Sequence, residues 1–267
     1  MVKFKDSNIS FSIMYLILSF GNHGEIPLFI TDNQFSKELA EHLPVKSKAV
    51  LWKEEYYFET PIEFRGRERL QVNAGDVAYW RPGKALCLFY GLSQPYSPVS
   101  IVGEIIGPLY LLKEVEDEEV EVLLEGEKSE GDGLVEKLRS EGFKAVRRKW
   151  QGYPSIALTA RLPGNAERRI GFDIYEEDFG YAIETDGITK YDECSGQATL
   201  YAIKAVKNDL REKFNFRELE AIRVDINEDN YVCLSSFTEE KDKLPTLLKI
   251  MASLYAYLLD YLVGFSL

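Results

Sequence analysis

Apolar positions recur along this chain in two rhythms, and the change between them divides it. In the first part the apolar runs are short. Met14–Phe20, Gly24–Ile30, Lys48–Phe58, Leu70–Val72, Asp76–Trp80, Ala85–Tyr90 and Val99–Ile105 follow one another, most of them separated by Gly, Pro, Asn or Gln. Short runs punctuated by turn formers predict strands. One stretch has the helical rhythm instead. Phe35, Leu39 and Leu43 recur at four-residue spacing, Thr31 or Asp32 stands where an N-cap belongs, and Pro44 follows, so a short helix is expected over 33–43. Glu118–Glu125 looks like an acidic tract, yet Val120, Val122 and Leu124 alternate with carboxylates. That is the pattern of a strand with one buried face, expected to be the last of its sheet. Many short strands with one helix suggest a small barrel, which hides its own edges.

The second part is built differently. Residues 126–133 are polar, contain Gly and lack apolar anchors, and are expected to link a domain at 1–125 to another at 134–267. Gly133–Gly142 fits a short helix ending at Gly142. Strand-like runs lie within Ala145–Leu162 and Arg169–Glu184. Gln197–Phe214 carries a helical stripe of Ile203, Val206, Leu210 and Phe214. Ala221–Ile226 and Tyr231–Phe237 frame Asn227–Asn230 as a hairpin. In the closing run Leu247, Met251, Leu254, Leu258 and Leu262 recur at helical spacing, widened by Leu248, Tyr255, Leu259 and Val263. This reads as a core helix with two buried sides, or as the interface of a homodimer through helix 245–263. The order helix, strands, helix, hairpin, helix makes this region α+β.

Composition narrows the functions. A net charge of -12 argues against a nucleic-acid partner and against an anionic membrane surface. Lys3 and Lys5 before an apolar stretch imitate an export signal, but Asn8, Ser10, Ser12 and Ser19 interrupt it, so a buried strand at Met14–Phe20 is expected, preceded by an extra strand or arm at 1–13. The cysteines Cys87, Cys194 and Cys233 form no CxxC, and the histidines are only His23 and His42. A disulfide framework and multi-histidine chemistry are not expected, nor is a metal or another cofactor. These features fit a cytoplasmic protein.

Several motifs fail on inspection. Arg81–Ala85 imitates a phosphate loop, but Ala78 occupies the first glycine position and Ala85 replaces the metal-holding Ser or Thr. Asp225-x-Asn227-x-Asp229 imitates a calcium loop without its Gly and without its distal Glu. Glu176, Glu177 and Asp178 are adjacent, so strand geometry points neighbours to opposite faces. Arg147-Arg148-Lys149-Trp150 is the compact basic cluster, expected to be a solvated strand end.

One segment is more specific. Residues 75–91 read GDVAYWRPGKALCLFYG. They closely resemble the signature of a small, largely uncharacterised prokaryotic family with a cyclophilin-like fold, and the resemblance extends over about 14–125. It implies a β-barrel with one short helix and a groove. Cyclophilins isomerise X-Pro bonds with an Arg that polarises the amide. The stretch here that corresponds to the family's Arg strand, Trp52–Phe58, carries Glu54 and Glu55 instead. No catalytic residue is therefore assigned. The reading leans away from an enzyme and toward a binding protein for a peptide or small molecule, with Glu55, Phe58, Tyr79, Trp80, Arg81 and Phe89 as groove residues. The alternatives are a divergent peptidyl-prolyl isomerase, its Arg supplied by Arg65 or Arg81, or a subunit of the cyclophilin-like carboxylase or oxoprolinase type. The last would place an acidic cleft between the halves near Glu54, Glu55 and Glu59.

Overall fold

The computed structural model of the chain describes residues 14–115, 117–128, 131–163 and 165–264. The arm expected at 1–13 lies outside them. Eight antiparallel strands close into a barrel: β1 (Met14–Phe20), β2 (Gly24–Ile30), β3 (Val45–Trp52), β4 (Glu55–Glu59), β6 (Asp76–Trp80), β7 (Ala85–Phe89), β8 (Val99–Ile105) and β9 (Glu119–Gly126). They pair in the order β2-β1-β9-β3-β4-β7-β6-β8, and β8 returns to β2 through Leu28 opposite Ile105. The two-residue β5 (Glu68–Arg69) adds to β8. The interior is filled by alternate residues such as Leu16, Leu18, Phe20, Tyr56, Phe58, Val77, Tyr79, Leu86 and Leu88, as the period of two along a strand requires.

The helix α1 (Asn33–Ala40) plugs the barrel with Phe35 and Leu39, and Asp32 caps it by accepting from Gln34 N–H and Phe35 N–H at 2.9 Å. It ends three residues before the expected 43. The run Lys48–Phe58 is not one strand. It is the hairpin of β3 and β4, turning at Lys53-Glu54 with Lys53 at φ 59. Leu70–Val72 is not a strand either. Val72 meets its backbone partners in the side chain of Gln94, through two bonds of 3.1 Å.

The C-terminal region is α+β. Strands β10 (Lys144–Trp150), β11 (Tyr153–Leu162), β12 (Asn165–Glu177), β13 (Gly180–Thr185) and β16 (Tyr231–Thr238) run antiparallel in that order, with β14 (Thr189–Lys190) and β15 (Arg223–Ile226) both on β16. Their apolar face is covered by α3 (Gly133–Ser140), α4 (Glu193–Leu210), the short α5 (Phe216–Glu220) and α6 (Leu244–Gly264). The α4 helix begins four residues ahead of the expected Gln197, because Asp192 and Ser195 form a capping box. In α6 the residues Leu247, Leu248, Met251, Leu254, Tyr255 and Leu258 are all buried in this region's own core, with Leu259 and Leu262 partly buried against it. The side chain of Val263 lies outside the described ones. Among the described residues no helix is long and apolar enough to cross a membrane.

The two regions meet along a seam. The sheet continues across it by one pair, Trp150 opposite Gly24. Gly24 sits at φ +144, and a Cβ there would lie 2.6 Å from the Lys149 carbonyl, so only glycine lets the strands approach. An apolar patch of Ile17, Phe29, Ile106, Val146 and Ala157 backs that pair. A polar clamp lies beyond it. Asp186 accepts from Leu109 N–H and Gly171 N–H, each at 2.6 Å, and pairs with Arg169 at 3.2 Å. Arg169 also donates to the Gly107 carbonyl and, at 2.8 Å, to Thr159 Oγ1.

Candidate ligand site on the barrel

The outward residues of β4, β6 and β7 build a concave site. Tyr56 and Phe58 point into the barrel, so Glu55 and Tyr57 point out. The same parity sends Tyr79 in and Trp80 out, and Leu86 and Leu88 in while Cys87 and Phe89 face out. Trp52, Glu55, Tyr57, Trp80 and Cys87 line a cavity of about 220 Å³, together with Pro95, Tyr96 and Val99 of the following loop and strand.

Its walls are held locally. The Trp80 ring stands edge-on to Tyr57 at 6.4 Å, and its Nε1 donates to Ser97 Oγ at 2.8 Å. Gly83 lies flat against that ring, where a Cβ would come within 2.4 Å of it. The Pro82-Gly83 turn is thus part of the wall that positions Trp80. The rim loop is tied to the β3–β4 turn by Glu54, which accepts from Leu92 N–H at 2.6 Å and pairs with Lys113 at 3.2 Å. The Leu92 bond holds the Glu54 carboxyl below its ordinary value. Tyr96 is 88% exposed at the mouth, so an aromatic ring is available to a ligand there.

Glu55 is the polar feature of the floor. It is buried, and its Oε2 has no hydrogen-bond partner. Burial raises its carboxyl above the ordinary value, opposed by a bond from Cys87 and by the charge of Lys53. Burial and then the Glu55 charge push the Cys87 thiol up, so it stays protonated and is a poor nucleophile.

The structure brings together two of the six residues expected from the sequence, Glu55 and Trp80. Phe58 and Tyr79 lie in the barrel interior, and the Tyr79 hydroxyl donates to the Ile62 carbonyl. Phe89 faces outward but is covered, packed with Val72, Ala78 and Val99. Arg81 is exposed on the turn after β6, 3.8 Å from Glu68. Sequence reading missed Trp52, Tyr57, Pro95 and Tyr96. Parity would have found Tyr57, since adjacent residues cannot share a strand face. Tyr96 belongs to a loop whose path no periodicity encodes. Glu54, Glu55 and Glu59 do not gather into a cleft. Glu54 is the loop tie, Glu55 the floor, and Glu59 is exposed opposite Ala85. His23 pairs with Asp117 at 2.9 Å, and His42 Nδ1 lies 2.8 Å from the Glu38 carbonyl. Among the described residues no group of three or more His, Cys, Asp or Glu is arranged to hold a metal ion.

The match to a family model agrees with the barrel. Residues 14–125 match the family model described as Cyclophilin-like. The solution structure of a hypothetical protein from Archaeoglobus fulgidus is 28% identical over 45% of this chain and 99% of its own, with a TM-score of 0.39. No curated protein matches the chain. The N-terminal part is therefore a cyclophilin-like barrel, followed by an α+β region that the family model does not cover.

Proposed function

We propose that the cyclophilin-like barrel is a binding module, not a catalyst, and that its outer cavity takes a small apolar group with one hydrogen-bond donor, such as a peptide side chain or a compact ring. The observation that carries this reading is the lining: Trp52, Tyr57, Trp80 and Tyr96 around one buried carboxyl oxygen without a partner. An apolar wall with a single convergent polar atom is how a pocket orients a small ligand. The cavity's polar floor is a carboxyl and a protonated thiol. An isomerase requires the opposite, a positive donor aimed at the amide oxygen. Arg81 faces Glu68 on the surface instead.

The test uses the tryptophans of the cavity as reporters. A proline-containing tetrapeptide is titrated into the full chain while Trp fluorescence is followed, and the same peptide is used for a cis/trans isomerisation assay. The reading expects saturable quenching that disappears in Trp80→Ala, with no rate above background. A clear rate would make the barrel an isomerase. Absence of saturable quenching by the peptide, and by indole as the compact-ring probe, would remove the binding reading.

A further inference from the structure

A second cavity, independent of the barrel groove, opens at the seam. It measures about 470 Å³ and lies between β10–β13, the tip of the β15–β16 hairpin and the helix α2 (Tyr110–Lys113). Three of the side chains that line it carry buried donor atoms without acceptors.

Arg148 is the deepest of them, with its side chain 2% exposed. Its Nη2 donates to Asp173 Oδ2 at 2.5 Å, and the other oxygen of Asp173 accepts from Ser155 Oγ at 2.9 Å. Arg148 Nε and Nη1 remain without partners. Trp150, held at the seam by its pairing with Gly24, keeps an unpartnered Nε1–H. Asn227 is fixed in orientation, since its Oδ1 accepts from Tyr231 N–H at 2.8 Å, and this leaves its Nδ2 free. These are four buried donor atoms on three side chains that line one cavity. A buried donor left unmade carries a free-energy penalty, so such groups normally have a partner.

The lining is also acidic. Glu184, which is paired across the strands with Asp173, lines the same space together with Asp229, Glu177 and Glu228. Burial, together with the charges of Asp173, Asp225, Glu228 and Asp229, pushes the Glu184 carboxyl up to about 7. Burial and the charges of Glu114 and Glu228 raise Asp229, against the opposing effect of Lys190. The Arg148–Asp173 pair is internally neutral, so the remaining carboxylates stand unbalanced. A simple anion would meet them unfavourably. A simple cation would leave the donors unmet.

We propose that the seam cavity binds a small zwitterion of the amino-acid class, its carboxylate on Arg148, Trp150 and Asn227 and its ammonium on Glu184 and Asp229. Tyr110 and Tyr175 also line the space. Both regions of the chain contribute walls, Tyr110 from the barrel side and the others from the α+β side, so occupancy would also fasten the seam.

The experiment screens each proteinogenic L-amino acid against the full chain by thermal shift and measures hits by calorimetry. For each hit, the analogues lacking its carboxylate and lacking its amine are titrated alongside, with glucose as a neutral polyol. The proposal expects at least one amino acid with a Kd of about 1 mM or tighter, and weakening by about tenfold or more when either end is removed. Glu184→Gln should weaken binding similarly while raising the melting temperature above pH 7, a pairing that damage to the fold would not produce. Trp150→Phe should weaken binding through loss of one donor, and its far-UV spectrum reports whether the fold survives. Three results would overturn the proposal: no amino acid binding, in which case the donors are met by water alone; equal binding of glucose; or affinity unchanged in Glu184→Gln.

Discussion

The barrel cavity and the seam cavity of this protein both have aromatic linings and are opposites in their hydrogen bonding. On the barrel, Trp80 Nε1 is satisfied by Ser97 and one carboxyl oxygen of Glu55 is left over. At the seam, four donor atoms on Arg148, Trp150 and Asn227 are left over in a lining that also holds carboxylates. The difference teaches that aromatic lining alone says little. The chemistry of an expected ligand is written in the polar atoms that folding leaves unpaired, because each such atom carries a free-energy penalty that a ligand or solvent relieves.

The comparison is broken most severely at Arg148. Arg148→Met leaves Asp173 buried with only Ser155 beside it, and is expected to cost about 3–5 kcal/mol in urea unfolding, with much of the loss recovered by adding Asp173→Leu. Asp186→Ala should follow at about 2–4 kcal/mol, since it strands the Leu109 and Gly171 amides and Arg169 together. Its unfolding should split into two transitions as the seam loosens. Trp80→Ala acts on the other cavity. It is expected to cost about 1–3 kcal/mol and to abolish groove binding without touching amino-acid binding at the seam.

Titration sharpens the contrast. Glu184 has a folded pKa of about 7, above its ordinary value. A carboxyl raised in this way contributes stability that is fully present below the unfolded value and is lost as pH rises through the folded one. Thermal melts should therefore show stability falling between about pH 4.5 and 7, and Glu184→Gln should flatten that fall by about 1 kcal/mol after allowance for partial exposure. Glu55→Gln should act in the same direction, because Glu55 is also raised, but its effect should not respond to an amino acid bound at the seam. Tyr96→Ala is the smallest change. It is expected within about 0.5 kcal/mol of the parent stability and to weaken only the groove.

Several elements were legible before any coordinates. Val120, Val122 and Leu124 marked β9, the cap at Asp32 marked α1, and the Asn227–Asn230 turn marked the β15–β16 hairpin, each because a local period or a local turn residue is sufficient to specify it. The groove was half legible. Glu55 and Trp80 line it, whereas Phe58 and Tyr79 fill the barrel because they sit one residue out of phase with Tyr57 and Trp80. The cluster Arg147–Trp150 was misread as a solvated strand end. Arg147 and Lys149 do face outward, but Trp150 packs into the barrel's core cluster and Arg148 is buried against Asp173.

The sequence by itself determined where the chain changes rhythm, most of its strands and helices, and that the first region is cyclophilin-like, since periodicity, caps and a contiguous signature are all local properties. Only the tertiary structure decided which polar side chains meet. Arg148, Asp173, Glu184 and Asn227 come from four separate strands and turns, and nothing in their spacing indicates a common cavity. Burial across the seam is what turns an ordinary arginine and an ordinary tryptophan into donors without acceptors, because a group loses its water only when the rest of the fold closes over it.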